Sequence, residues 1–262
     1  KEILVVSFGT SYNDSRAKDI GGIEAYLAKE FPDYSVRRAF TSQIILNHIL
    51  ARDGEKIDNV EQALERAKKN GVKELIVQPT HLMQGKEYDE LKETLDKHKA
   101  DFAKVALAEP LLGEVGKDAE EINADKEQVA TLLVQAAVTD GGFDSVQKAG
   151  QEGAAFVFLG HGTSHTAAIT YSEMQTAMRK LGYNNVFIGT VEGEPAETAV
   201  DAVIEAVKKA GYKKVTIRPM MVVAGDHAHN DMAGAEDDSW LQKFVVSRNF
   251  GRVETQILGM GG

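Results

Sequence analysis

The chain has 262 residues, a formal net charge of −10, 43% hydrophobic and 27% charged residues, and no cysteine. The missing cysteine excludes a disulfide framework, a thiolate nucleophile and Cys-ligated zinc or iron–sulfur centres, so any metal must be held by His, Asp or Glu. The acidic balance argues against a nucleic-acid partner, and no run approaches the roughly 20 apolar residues a membrane span requires.

In chain order, residues 3–8 predict a buried strand ending at Gly9-Thr10-Ser11, followed by a helix to about residue 31. A strand over 34–41, helices over 42–50 and 59–70, and a strand over 74–80 come next. A helix over 87–100, a strand over 103–107 and a helix over 126–138 lead to the Gly141-Gly142 break. The order then restarts, with strands over 155–159, 186–191, 213–222 and 252–258 and helices over 169–181, 196–210 and 240–249. Strands alternating with such helices predict an α/β fold whose mainly parallel sheets carry helices on both faces.

The restart is an internal repeat. VSFGTS at 6–11 aligns with LGHGTS at 159–164, and the segment 70–90 aligns with 210–231, setting Pro79 over Pro219 and Gly85 over Gly225. The expectation is two similar three-layer halves, 1–141 and 142–262, with a cleft between them. What differs between the halves is chemistry. The second half has His161, Glu192 and His227 where the first has Phe8, Thr41 and Glu87. A scaffold need would apply to both halves equally, whereas a chemical need would not.

The run 215–223 is apolar and β-branched, then stops at Ala224-Gly225 before Asp226, His227, His229, Asn230 and Asp231. Ligands bind beyond the carboxyl ends of parallel strands, so His161, Glu192 and His227 are expected to converge there. Two imidazoles and a carboxylate suit a divalent ion such as Co²⁺, Fe²⁺, Ni²⁺ or Zn²⁺, with open coordination positions for reaction. No local spacing rule certifies these three, and histidines that merely cap strand ends are the competing reading.

GHGTSH at 160–165, GTVEGEP at 189–195 and the long segment 219–240 resemble the sirohydrochlorin cobaltochelatases of the anaerobic cobalamin route, members of the class II chelatases. VVSFGTS at 5–11 and THLMQGKEYDEL at 80–91 fit the same resemblance, which covers essentially the whole chain. It implies insertion of Co²⁺ into sirohydrochlorin without ATP or organic cofactor, with His161, Glu192 and His227 as metal-binding and catalytic residues. It also implies a polyanionic tetrapyrrole partner, for which Ser7, Thr10, Ser11, Thr163 and Ser164 offer hydroxyls and backbone N–H groups. Ordinary capping would explain those five as well. His81 is expected to face the tetrapyrrole. Fe²⁺ insertion for sirohaem or haem, and a carrier that binds haem or metal without turnover, remain the alternatives, and Ni²⁺ is a further ion to try.

Among the other candidates, His165 reads as a helix start, His229 as solvent-facing or supporting, and His48 and His98 as surface residues. The acidic run Glu236-Asp237-Asp238 is expected to cap the helix from Trp240. Self-association is left open. The expected location is cytoplasmic, with export open because Lys1 is not an initiator Met. The Gly-Met-Gly-Gly ending suggests a further C-terminal element.

Overall fold

The computed structural model describes residues 1–262 and resolves two compact units, Lys1–Leu111 with Gly261–Gly262, and Leu112–Met260. In the first unit, β1 (Glu2–Ser7) is followed by a helical turn α1 (Asn13–Ser15), a π-helical turn Arg16–Ile20 and α2 (Gly21–Glu30). Then come β2 (Ser35–Phe40), α3 (Gln43–Asp53), α4 (Val60–Lys69), β3 (Glu74–Pro79), α5 (Lys86–His98) and β4 (Lys104–Leu107). The four strands are parallel in the order β2-β1-β3-β4. All six residues of β1 are buried, as a central strand covered on both faces requires. Leu4 and Val6 pack with Leu64 and Ala67 of α4 and Leu91 and Leu95 of α5. α4 starts where Asn59 and Gln62 exchange side-chain and backbone hydrogen bonds, satisfying donors that a bare helix end would expose.

The second unit repeats this plan. It runs through α6 (Ala124–Asp140), α7 (Val146–Gln151), β5 (Ala154–Gly160), α8 (Ile169–Lys180) and β6 (Val186–Thr190). α9 (Val200–Lys209), β7 (Lys214–Pro219), a π-helical turn His227–Met232, α10 (Trp240–Val246) and β8 (Arg252–Thr255) complete it. Its sheet is again all parallel, ordered β6-β5-β7-β8, with β5 buried throughout. Each unit is thus an α/β layer of the expected kind, and the two strand orders correspond one to one. No helix is long and apolar enough to cross a membrane.

Several expectations are corrected. The first compact unit closes at Leu111 rather than at residue 141, because α6 packs on α8. Asp140 of α6 accepts from Arg218 of β7 at 2.6 Å, and Ala137 O accepts from Gln256 Nε2 at 3.1 Å. α7 is an element the sequence reading missed. The helix expected over 196–210 is broken, since Ala199 is extended between a 3₁₀ turn Ala196–Thr198 and α9. The strand expected to continue to residue 222 stops at Pro219. Met220, Val222 and Ala224 are buried all the same, so their apolar character reflects packing and not sheet pairing. The cap of α10 is Ser239, which accepts from Gln242 N–H at 3.1 Å, rather than the acidic run before it.

A buried ion pair ties the start of the second unit to its helices. Lys126 of α6 and Glu173 of α8 are both fully buried, 3.8 Å apart. Lys126 Nζ also donates to the carbonyls of Leu112 at 3.1 Å and Glu114 at 2.7 Å. Burial lowers the lysine's pKa and raises the glutamate's, each opposed by the other's charge. Lys126→Met would strand two carbonyls and a carboxylate. We expect it to destabilise the second unit by about 3–5 kcal/mol in denaturant unfolding. A loss below about 1 kcal/mol would show that water reaches the pair.

Candidate metal centre

The order β6-β5-β7 sets three adjacent strand ends side by side at the carboxyl edge of the second sheet. The β5–β6 ladder runs on beyond both strands. Val191 N–H donates to Gly160 O at 2.9 Å, and Glu192 N–H to His161 O at 3.0 Å. His161 and Glu192 are therefore locked in register, and His161 Nδ1 lies 3.6 Å from Glu192 Oε1. The turn beneath Glu192 is pinned by buried Thr190, whose hydroxyl accepts from Gly193 N–H at 3.0 Å and meets Thr198 Oγ1 at 2.8 Å.

Two glycines permit this approach. Gly162 has φ +91°, and a Cβ there would sit 3.1 Å from the Cβ atoms of both Glu192 and Thr190. At Gly160 a Cβ would come within 2.3 Å of the Tyr171 ring. Tyr171, buried in α8, accepts the Gly162 N–H at 3.0 Å through its hydroxyl. Burial pushes the phenol up to about 12, so it stays a neutral fixed partner of the loop.

His227 arrives from β7 by another route. It opens the π-helical turn, whose Ala228 and Met232 are buried four residues apart, Met232 among Trp240 and Phe244. His227 and Asp231, also four apart, form the adjoining face, with His227 Nδ1 2.6 Å from Asp231 Oδ2. The rings of His161 and His227 meet edge to face with centroids 4.1 Å apart. The side chains of His161, Glu192 and His227 are each about two-fifths exposed, so solvent and solutes can reach them.

Each imidazole has one nitrogen committed. His161 Nδ1 lies 2.9 Å from the Gly162 carbonyl, and His227 Nδ1 faces the Asp231 carboxylate. A carbonyl and a carboxylate can only accept, so in the neutral rings both Nδ1 atoms carry the proton and both Nε2 atoms keep a lone pair. Asp226, His227 and Asp231 are the group whose donor atoms all lie within 4.8 Å of one another. Asp231 Oδ2, at 2.6 Å, is the hydrogen-bond partner of that ring's Nδ1, whereas Glu192 Oε1, 3.6 Å from His161 Nδ1, makes no hydrogen bond to it and keeps its lone pairs for an ion. Asp226 accepts from Asn230 Nδ2 at 2.6 Å. His165 is arranged in the opposite sense, its Nδ1 accepting from Ala167 N–H at 3.0 Å.

The structure thus brings together the three residues the repeat singled out. Of the residues expected at the anion, Thr163 and Ser164 lie in the His161 loop, Ser164 exposed and Thr163 accepting from His165 N–H at 3.1 Å. In the first unit Ser7 and Thr10 are buried, and their hydroxyls accept from Thr80 Oγ1 at 2.8 Å and Tyr12 N–H at 3.2 Å. Ser11 is half-buried, with its carbonyl accepting from Arg52 at 2.7 Å. His81 is buried with neither ring nitrogen hydrogen-bonded, and Glu87 lies 3.6 Å away. Asp231 was named in the sequence reading without a role, and Tyr171 escaped it. The four-residue step from His227 to Asp231 was a usable signal, whereas Tyr171 looked like any core aromatic.

An all-parallel α/β sheet whose carboxyl edge gathers imidazoles and carboxylates has the architecture of a metal-handling enzyme. The cobalt chelatase (CbiK) family model matches residues 1–262, and the chain belongs to that family; it is a metal chelatase. It is 34% identical over 247 residues to the sirohydrochlorin cobaltochelatase of Salmonella typhimurium, covering 93% of this chain and 84% of that protein. It is 28% identical over 247 residues to the sirohydrochlorin cobaltochelatase CbiKC of Nitratidesulfovibrio vulgaris, covering 94% and 80%. A solute-binding protein of an ABC transporter from Clostridium phytofermentas, solved with L-rhamnose, is 14% identical with a TM-score of 0.39, over 96% of this chain and 67% of that one. That likeness is too low to bear on this chain.

Burial holds the His81 pKa down, to about 4 from an ordinary 6.5. As pH falls the unfolded chain takes up this proton first, so His81 costs stability progressively from about pH 6.5 to about pH 4, by about 3 kcal/mol in all. Denaturant midpoints should drop more steeply with acid for the wild type than for His81→Leu. Parallel profiles would show that protonated His81 finds solvent or a partner.

Proposed function

We propose that the chain inserts Co²⁺ into sirohydrochlorin, with the ion first held by His161, Glu192 and His227. The observation that carries this reading is the nearness of the three side chains: His161 Nδ1 lies 3.6 Å from Glu192 Oε1 and the centroids of the two imidazole rings are 4.1 Å apart. Membership of the cobalt chelatase family and the printed activity of both relatives support cobalt and the tetrapyrrole as its substrates.

The chemistry is an exchange of one Co²⁺ for two pyrrole protons. Two neutral imidazoles and one carboxylate bind the ion while leaving positions for incoming macrocycle nitrogens. As each Co–imidazole bond breaks, an Nε2 lone pair is released where a pyrrole proton must go. We assign His161 this second role, proton acceptor as well as ligand, because its ring is anchored to the main chain through the Gly162 carbonyl. Glu192 and His227 hold the ion meanwhile, and His227 Nε2 takes the second proton as its own bond to the ion breaks. No step calls for an organic cofactor or nucleotide. Thr163 and Ser164, in the loop that carries His161, are the hydroxyls we assign to the substrate's carboxylates.

The test is insertion followed by visible absorption of sirohydrochlorin, with Co²⁺, Fe²⁺ and Ni²⁺ in parallel. These donors accept all three ions, so Co²⁺ should be used, and Fe²⁺ and Ni²⁺ should differ from it in rate alone. His161→Ala and His227→Ala should each lower kcat by at least about a hundredfold, the general scale for loss of an acid–base group, while retaining the wild-type circular dichroism. Turnover close to wild type in either variant would end the ligand assignment. Turnover with iron and none with cobalt would reassign the enzyme to iron insertion. Ser164→Leu should raise the KM for sirohydrochlorin and leave Co²⁺ affinity by calorimetry unchanged. Lost Co²⁺ affinity with an unchanged KM would move Ser164 from the tetrapyrrole to the metal.

A further inference from the structure

The two imidazoles are oriented by different kinds of partner. His161 Nδ1 is held by a main-chain carbonyl, that of Gly162 at 2.9 Å, which no side-chain substitution removes. His227 Nδ1 is held by one side chain, the carboxylate of Asp231 at 2.6 Å. The π-helical turn sets these two residues one turn apart, and buried Ala228 and Met232 fix that turn against the core. Asp231 Oδ2 lies on the ring nitrogen opposite to the one left for a ligand.

We propose that Asp231 is a positioning residue for metal capture: it holds His227 as the Nδ1–H tautomer with Nε2 bare, so that this ring is ready for the ion. The inference rests on His227 being a ligand, and it adds a residue that touches neither metal nor macrocycle. A carboxylate behind a ligating imidazole orients the ring and raises its basicity, and losing one commonly costs 10–100-fold in metal affinity. Without Asp231, the neutral ring is free to move its proton to Nε2 and to rotate about its side-chain bonds. His161, secured by the backbone, would keep its tautomer. The centre should then behave as one fixed ligand beside one loose ligand.

The test compares Asp231→Ala, Asp231→Asn and His227→Ala with the wild type in the full chain. Co²⁺ affinity is read by calorimetry and the KM for sirohydrochlorin by steady-state kinetics. The tautomers of the metal-free rings are read by long-range ¹H–¹⁵N correlation at a pH where both are neutral. Asp231→Ala should bind Co²⁺ about 10–100-fold more weakly, with a tetrapyrrole KM within about twofold of wild type. Its His227 should gain Nε2–H signal while His161 stays Nδ1–H. Asp231→Asn retains an amide oxygen able to accept from Nδ1 and should recover part of the affinity. Wild-type Co²⁺ affinity in Asp231→Ala beside a large loss in His227→Ala would overturn the positioning role and leave His227 as a ligand. Unchanged affinity in His227→Ala would overturn the ligand assignment itself. Weak binding in Asp231→Ala with the His227 tautomer unchanged would make Asp231 a ligand, and that too overturns the proposal.

Discussion

The site depends on the register between β5 and β6 being carried past the strand ends, to His161 and Glu192. The bonds from Val191 N–H to Gly160 O and from Glu192 N–H to His161 O bring a carboxylate beside an imidazole with no local sequence signal. The approach is closer than side chains normally allow, hence Gly162 against Glu192 and Thr190, and Gly160 against Tyr171. Tyr171 and Thr190, both buried, then fasten the two loops from below. Rigid elements thus hold donors that are themselves partly open to solvent, the division of labour that a site for an exchanging ion needs.

The same topology occurs twice, and only the second copy carries the paired imidazoles. In the first unit the position matching His161 is Phe8, which is 49% exposed and offers an ion no donor atom. The buried Lys126–Glu173 pair, in turn, ties α6 to α8, and the Arg218–Asp140 contact ties α6 to β7. They stiffen the scaffold below the donors without taking part in the chemistry.

Much of this was legible beforehand, and the reasons differ by element. β1 and β5 could be read because strands buried on both faces must be continuously apolar. His161, Glu192 and His227 could be set apart because a repeat cancels the scaffold and leaves the differences between its halves, and folding places their side chains near one another. The run after Pro219 misled, since burial alone makes Met220, Val222 and Ala224 look like strand when they pair with nothing regular. The unit boundary was misplaced because glycines at 141 and 142 mark a turn, while the contacts that assign α6 lie far off in sequence, at Arg218 and Gln256. Ser7 and Thr10 looked like free donors because hydroxyls carry no mark of the partners, Thr80 and Tyr12, that folding gives them.

The central claim is that two imidazoles and one carboxylate, His161, His227 and Glu192, are the first holders of the ion. X-ray absorption at the cobalt edge of the Co²⁺-loaded protein, without tetrapyrrole, tests it most directly. The account predicts the outer-shell scattering of two imidazole rings together with oxygen ligands, falling to one ring in His161→Ala and in His227→Ala. A cobalt ion surrounded by oxygen alone, or a spectrum that neither substitution changes, would contradict it.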